Sequence, residues 1–595
     1  MSLSTRLVAG VVRRVSLAWA VALAVVLSLP ALGGGRVLDD FLHLAMQAED
    51  APPDLARSPL DLYRIPPAAE HRQVACDAGR LPWHATHGFD ARLMRPLSSL
   101  TLALDHALWR DSPAIAHAHS LLWYAALVLL AGLLYRKVMP TPELAALAAL
   151  LYAIDDTHGF TVGWIANRQA LVSLVFALLA LLAHLRWRRE GWRPGAWLAP
   201  LALALGLLAG ETALAITAYL FSYALFLERG RWTRRLATLA PAALVCVLWR
   251  VAYDLLGYGA GRSGYYVDPV RDPLRYLASA AERLPRLLQG LLTPVQSDFF
   301  AYVPPQALPI LTLIVGGGVL LFVAILWRLL KTDRLAAFWA TATVLSLLPA
   351  CAAQASDRNL IAATLGGMGL IAQLIARHPA PGLEAFWARR RSRLLIGSLV
   401  LFHLVLSPLA KPFRTYQPHE IQAPITSAFR SLDRVGELRG RTLVILHGLD
   451  FFWTTHAGMV REGLGLSPPE RIITLSTGMS ALVVSRVDER TLRLTTEGAF
   501  FDSGYETVML DPDRPFRAGE PFSIEGVRLV MEAVDERGLP TAVRATFDDA
   551  LEQADRVWVV WSADGYVPFE LPAVGEEVEV PAIDALAALT YTYAP

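Results

Sequence analysis

Cysteine is scarce: the 595 residues include three, Cys76, Cys246 and Cys351. Three thiols build neither a disulfide framework nor a thiolate metal site, and they do not define the redox compartment. An excess of charge is lacking too, because 54 basic residues meet 53 acidic ones and leave a formal net charge of +1. With no global field, no dense Lys/Arg tract and no zinc-ligand spacing, nucleic acid is not an expected partner. Charged residues make up 18% of the chain, while hydrophobic residues reach 54%. That balance lies well to the apolar side of soluble proteins, and a membrane protein is the expectation.

A helix needs roughly 20 apolar residues to cross the hydrocarbon core. Runs near that length lie at about 14–32, 114–135, 141–155, 166–186, 195–210, 212–228, 235–256, 307–330, 335–353, 359–377 and 393–410. They predict about eleven spans. Runs 141–155 and 195–210 are short, as tilted or hairpin-paired segments are. Basic residues gather at every second junction: Arg6, Arg13 and Arg14, then "YRK" (135–137), "RWRREGWR" (186–193), "ERGRWTRR" (228–235), "WRLLKTDR" (327–334) and "ARRRSR" (388–393). The intervening junctions, such as "LDD", "IDDTHGF", "AGET" and "QASDR", are acidic or polar. Positive charge at span ends stays cytoplasmic, so the alternation predicts a cytoplasmic N-terminus in the cytoplasmic (inner) membrane and an outward C-terminus. The competing reading of 1–32 is a cleaved signal peptide, which leaves the "DD" that follows on the outer side without a membrane anchor.

The expected architecture is mainly α: a polytopic bundle at 1–411 with a long first outer loop at 33–112, then an extracytoplasmic domain at 412–595. In that tail, "RTLVILHGLDFFWTTHAGMVREGLGLSPPERIITLSTG" reads as strand, helix, strand. Further on, "ALVVSRV", "TLRLTTEG", "GVRLVMEAV", "AVRATFD" and "RVWVVWSADG" read as short strands, so an α+β or mostly β module is predicted.

Chemistry-bearing residues concentrate at the outer junctions. Asp39 and Asp40 follow the first apolar run in "GGGRVLDDFLHL". Carboxylates at a span's end cost little, and a solvated helix boundary explains them equally well. The loop after them carries the apolar spacing of an amphipathic helix over 97–109, suited to lie along the outer leaflet. The stretch "LYAIDDTHGFTVGWIANRQALVSL" puts Asp155, Asp156, His158, Trp164, Asn167 and Arg168 on the same side, and Glu211 opens a further run there. The Asp155–Asp156 pair is a second acidic site, able to line an acceptor groove or hold a divalent ion. One carboxylate pair is thin evidence for a metal. Glu211 also suits a helix start, where the dipole stabilises a carboxylate. In the tail, His447, Asp450 and His456 have no metal-ligand spacing and no Ser or Cys elbow, and satisfied fold histidines are the simpler reading. Trp558 and Trp561 alternate in parity and do not form one stacking platform.

In order, the first span, the "DD", "RPL" (95–97), "ALDHALW" (103–109), "SPAIAHAHSLLWYAALVLLAGLLYRK" (112–137), "HGFTVGWIANRQALVSL" (158–174), "LLAGETALA" and "SDRNLIAATLGGMGL" (356–370) resemble polytopic GT-C glycosyltransferases. The branch they resemble is that of the O-mannosyltransferases and their bacterial relatives. The resemblance covers roughly residues 10 to 410 and leaves the tail out. It implies a transferase that takes a sugar from a polyprenyl-phosphate-linked donor and places it on a protein or glycan acceptor at the outer face. The family's acidic residue after the first span, general base or orienter of the nucleophile, falls on Asp40 as first choice and on Asp39 as its rival. A carboxylate in reach of the acceptor hydroxyl can take its proton, and a guanidinium fork can hold the leaving phosphate. Arg95, Arg168 and Arg358, with His158, are the candidates for that phosphate, although interfacial anchors, ion pairs or loop caps use the same residues. The pattern departs from many relatives at Asp155, Asp156 and Phe160, which stand where His-Pro and a Glu occur, and at Tyr124 in place of a histidine. No cofactor is implied beyond a divalent cation. A transporter or lipid-carrier flippase would place ionisable groups in mid-span, and a non-catalytic scaffold would not gather acids and bases on one face.

Overall fold

The computed structural model describes residues 17–65, 69–87, 89–110, 112–303, 307–376, 390–501 and 505–593. Arg6, Arg13, Arg14 and the start of "ARRRSR" lie outside the described residues. Six helical segments are long and apolar enough to cross a membrane: Pro113–Val138, Arg168–Glu190, Trp232–Leu255, Leu308–Thr332, Arg334–Ala352 and Arg390–Val435. The other five expected positions hold shorter apolar helices, so among the described residues six of the eleven expected runs reach span length. The cause is local. Pro142–Ile154 stops after 13 residues at Asp155, about 20 Å of helix against a hydrocarbon core of about 30 Å. Gly210 ends Gly195–Ala209 in the same way. One short helix, Ala363–Ile375, is buried along its whole length.

Several buried hydroxyls in the bundle find partners, in a medium without water to supply them. The hydroxyls of Tyr152, Tyr219 and Tyr135 donate to the carbonyls of Ile361, Ala362 and Leu365 at 3.1, 2.6 and 2.7 Å. At the opposite end, the basic junctions converge: Lys137 pairs with Glu190, and Arg188 Nε donates to Glu228 at 2.6 Å. Helix Pro96–Trp109 buries Ser98, Ser99, Leu102 and Asp105 and exposes Leu100, Leu104 and Leu108. The i, i+4, i+8 spacing gives it an apolar outer stripe.

The tail contains two sheets. The first orders its strands Gly565–Pro568, Arg556–Ser562, Thr442–Ile445 and Arg471–Thr474, the last three parallel. The second has six antiparallel strands. Every short strand read from the sequence is present, and the two tryptophans part company: Trp558 enters the core with Phe547, Trp561 packs on Trp453.

Bundle and tail share one element, helix Ser407–Ser431, here called the strut. It runs through residue 412, where the composition changes, and carries Pro412, Pro418 and Pro424 in its interior. Each proline removes an N–H donor from the helix. Its lower part crosses the His158–Val162 turn so closely that a Cβ on Gly163 would sit 1.9 Å from the Thr415 carbonyl oxygen. Its upper part puts Ile425, Ala428 and Phe429 into the tail core with Phe41 and Trp453. Gly163→Ala should therefore cost ~1–3 kcal/mol, read as a lower thermal unfolding midpoint of the detergent-solubilised chain. Gly397→Ala, whose Cβ would meet nothing within 4 Å, should leave that midpoint in place.

Candidate functional site

The acidic pair opens a short helix, Asp39–Ala45, and the chain enters it through an uncommon turn. Gly35 has φ +65° and Leu38 φ +42°. A leucine in the left-handed region is held there by its surroundings: Leu38 N donates to Gln422 Oε1 of the strut at 2.9 Å. His117 and His419 bond the Gly35 and Gly34 carbonyls, each at 2.8 Å. Beyond the pair, Phe41 packs against Gly463 of the tail, where a Cβ would come within 2.7 Å of the ring.

This turn separates the two carboxylates. Asp40 Oδ2 accepts from Val37 N at 2.9 Å and Oδ1 from Ala166 N at 2.7 Å. It ties the acidic helix to the "WIANR" segment. Burial pushes its carboxyl up to about 7 against those two bonds. Asp40 faces a small recess of ≈ 60 Å³ with His43 and Asp105. Asp39 points the other way, half-buried, into a cavity of ≈ 230 Å³ between the bundle and the tail. Burial raises its carboxyl above the ordinary aspartate value, while Arg358 and Arg95 pull it back. Each oxygen of Asp40 thus accepts from a backbone donor, whereas Asp39 lines the cavity.

Arg358 shares the cavity with Asp39, together with Trp164, Tyr265, Tyr266 and Asp298. Its guanidinium stacks 5.3 Å from the Trp164 ring and donates to Tyr265 Oη at 3.0 Å. The preceding residue does the positioning. Asp357 is buried, takes Arg414 Nη2 of the strut at 2.6 Å and accepts from Ser297 N at 2.8 Å. Its own N–H donates to Asp298 Oδ2 at 2.9 Å. One buried pair thus holds a cation and an acid on the same wall.

The other expected residues are brought near this face but are spent on packing. Arg168 lies fully buried on Asp105 at 2.6 Å, with Ser120 and the Ala116 carbonyl as further acceptors. Arg95 donates to Glu211 at 2.8 Å, and Tyr253 donates to the same carboxylate at 3.3 Å. Neither Arg168, Arg95 nor Glu211 lines the cavity. His158 is wedged between Tyr124 Oη and Thr364 Oγ1 at 3.1 and 2.8 Å, a structural joint. Asp155 accepts from Thr157, and Asp156 accepts from Ser407 Oγ at 2.7 Å with Arg414 at 3.9 Å. Among the described residues, no group of three His, Cys, Asp or Glu is placed to hold a metal ion.

Sequence reasoning missed Tyr265, Tyr266 and Asp298, which sit in irregular segments between spans and acquire meaning only through the Asp357 turn. It also undervalued the tail. Asp450 and His456 line the cavity opposite the bundle, whereas His447 stays in the fold on Ser476 Oγ at 3.1 Å.

No family model and no curated protein sequence matches the chain. Among solved structures it is similar to the oligosaccharyltransferase of Archaeoglobus fulgidus, a GT-C class glycosyltransferase. The apo form gives 12% identity and a TM-score of 0.36, covering 77% of this chain and 64% of that one. The form tethered with an acceptor peptide containing the NVT sequon gives 11% and 0.33 over the same shares. The complex with an inhibitory peptide and a dolichol-phosphate gives 11% and 0.31, over 76% and 64%. This chain spans 64% of the length of these structures, and what they bind is a property of theirs.

The buried Asp357–Arg414 pair makes a checkable claim. Arg414→Met strands a buried carboxylate and should cost about 3–5 kcal/mol. Adding Asp357→Leu should recover most of that loss in thermal midpoint, because the charge that needed a partner is gone.

Proposed function

We propose that the chain is an integral membrane glycosyltransferase that moves a sugar from a polyprenyl-phosphate donor to an acceptor at the outer face of the cytoplasmic membrane. In this reading the N-terminus is cytoplasmic and the 412–595 domain extracytoplasmic. The observation that carries the proposal is the single cavity in which Asp39 and Arg358 meet beneath the tail. Its bundle end joins a carboxylate, a guanidinium and two tyrosines, the functional groups that a displacement at an anomeric carbon needs.

Asp39 acts as general base. The acceptor O–H gives its proton to the Asp39 carboxylate while the oxygen bonds to the anomeric carbon, and the bond from that carbon to the phosphate oxygen breaks. The electron pair leaves with the polyprenyl phosphate. Its extra negative charge faces Arg358, whose stacking on Trp164 and bond to Tyr265 keep the fork in one orientation. Arg95 adds positive potential at Asp39 without lining the cavity. The step is written without a cation. Asp40 holds the turn that presents Asp39.

The two aspartates should therefore fail differently. With purified chain, radiolabelled polyprenyl-phosphate sugars and envelope acceptors, Asp39→Asn should lower turnover about 10²–10⁴-fold at unchanged thermal midpoint. Asp40→Asn should lower the midpoint, at about 1–3 kcal/mol for a disturbed buried acceptor. Equal turnover in wild type and Asp39→Asn would remove Asp39 as the base. A wild type that transfers nothing from any donor would favour a scaffold. Since burial raises the Asp39 carboxyl and only the ionised form accepts a proton, the rate should climb with pH through a midpoint above the ordinary 3.8 and then level.

A further inference from the structure

The cavity has a second end, away from Asp39, built by the tail. There Asp450, Phe452, His456 and Tyr505 face the first outer loop, close to Arg80 and Asp54. We propose that this end is an acceptor subsite for a neutral or amino-bearing glycan. The proposal rests on transfer at Asp39 and names the class of acceptor it serves.

Position is the first argument. The segment 450–456 follows strand Thr442–Ile445 at the carboxyl end of the parallel strands, where loops in such sheets gather ligands. Aromatic surface is the second. Phe452 is half-buried and Tyr505 40% exposed, their rings 6.1 Å apart and edge to face, with the His456 ring 5.0 Å from Phe452. Aromatic rings that line a cavity suit the C–H groups of a sugar ring, since their electron-rich centres attract weakly positive hydrogens.

Polar groups point the same way. Asp450 is 4% exposed and caps Phe452 N at 2.8 Å through one oxygen. His456 is 8% exposed, and its Nδ1 makes no well-formed hydrogen bond among the described residues. An imidazole nitrogen offers a hydroxyl a donor or an acceptor, and the Asp450 carboxyl on the same cavity wall offers an acceptor. Charge then selects. The cavity's guanidiniums are Arg358, at the bundle end, and Arg80, which is held by Asp54 in a two-pronged pair at 2.7 and 2.6 Å. A phosphorylated or carboxylated acceptor would meet the Asp450 carboxyl, which burial pushes up to about 7, while the guanidinium on this side, Arg80, is already held by Asp54. A neutral or ammonium-bearing sugar meets no such penalty.

An extended peptide is the other occupant to weigh. Peptides are commonly read through the main chain, along a strand edge. The tail residues that line this end lie in helical turns and loops, Phe451–Trp453, 454–459 and 505–509, and none belongs to a strand. Side-chain recognition of a polyhydroxylated ring is what the wall provides.

The test measures binding without donor, so it stands apart from transfer. Full-length chain in lipid nanodiscs would be titrated with N,N′-diacetylchitobiose, its deacetylated dimer, digalacturonate and a Ser/Thr-containing decapeptide, followed by saturation-transfer NMR. The chitobioses should bind, digalacturonate at least tenfold more weakly, and Phe452→Ala, in a preparation that still melts cooperatively, should weaken the chitobioses about tenfold. Asp450→Asn should narrow the gap between neutral and anionic dimers. Absence of saccharide binding, equal affinity for digalacturonate, or a peptide that binds in their place and depends on Phe452 would each overturn the subsite. If binding holds and no transfer occurs from any donor, the subsite stands and the transferase reading falls.

Discussion

The buried pair between Arg414 and Asp357 is the constraint on which the outer face turns. Arg414 belongs to the strut and Asp357 to a tight turn between two apolar helices, so their 2.6 Å contact fixes one membrane segment against another. Through the same turn, Arg358 is aimed at the cavity and Asp298 is held by the Asp357 N–H. A surface pair of this geometry would contribute little, because water competes for both ends. Here both partners are nearly inaccessible, and losing either leaves an uncompensated charge. The interaction is therefore better described as an alignment constraint than as a source of net stability.

The same economy runs through the residues that first looked functional. Arg168, Glu211 and His158 carry chemistry-bearing side chains, yet each is saturated by neighbours from distant elements. A bundle made of short buried helices exposes many helix ends, and those ends need donors and acceptors that lipid cannot give. Much of the polar cluster at the outer face meets that demand. Asp39 differs because the turn before it directs its carboxyl away from the backbone groups that absorb Asp40.

Composition and hydropathy made the bundle, the helical positions and the tail's strands legible, since burial and strand alternation are properties of local pattern. Span length was less legible: a run such as 141–155 looks like a membrane segment until Asp155 ends the helix. Choosing between Asp39 and Asp40 was beyond the sequence, because adjacent residues on a helix differ by about 100° in direction and only Val37 and Ala166 show which one is occupied. Tyr265 and Asp298 were illegible for another reason. Their segments lack periodicity, and they reach the site through contacts with Arg358 and Asp357, 93 and 59 positions away. In the tail, "HGLDFFWTTH" was read as fold-filling histidines, which suits His447, but His456 and Asp450 turn toward the cavity instead.

The bond between Leu38 and Gln422 spans 384 positions of chain. Proteins are made from the N-terminus at about 5–20 residues per second, so the acidic turn waits roughly 20–80 s for the partner that holds Leu38 in its left-handed state. During that interval the carboxylates already stand beside the first apolar helix, but the geometry that sets Asp39 apart from Asp40 does not yet exist. The turn that sets Asp39 apart from Asp40 is therefore completed only after the helices of the bundle that precede the strut have been made.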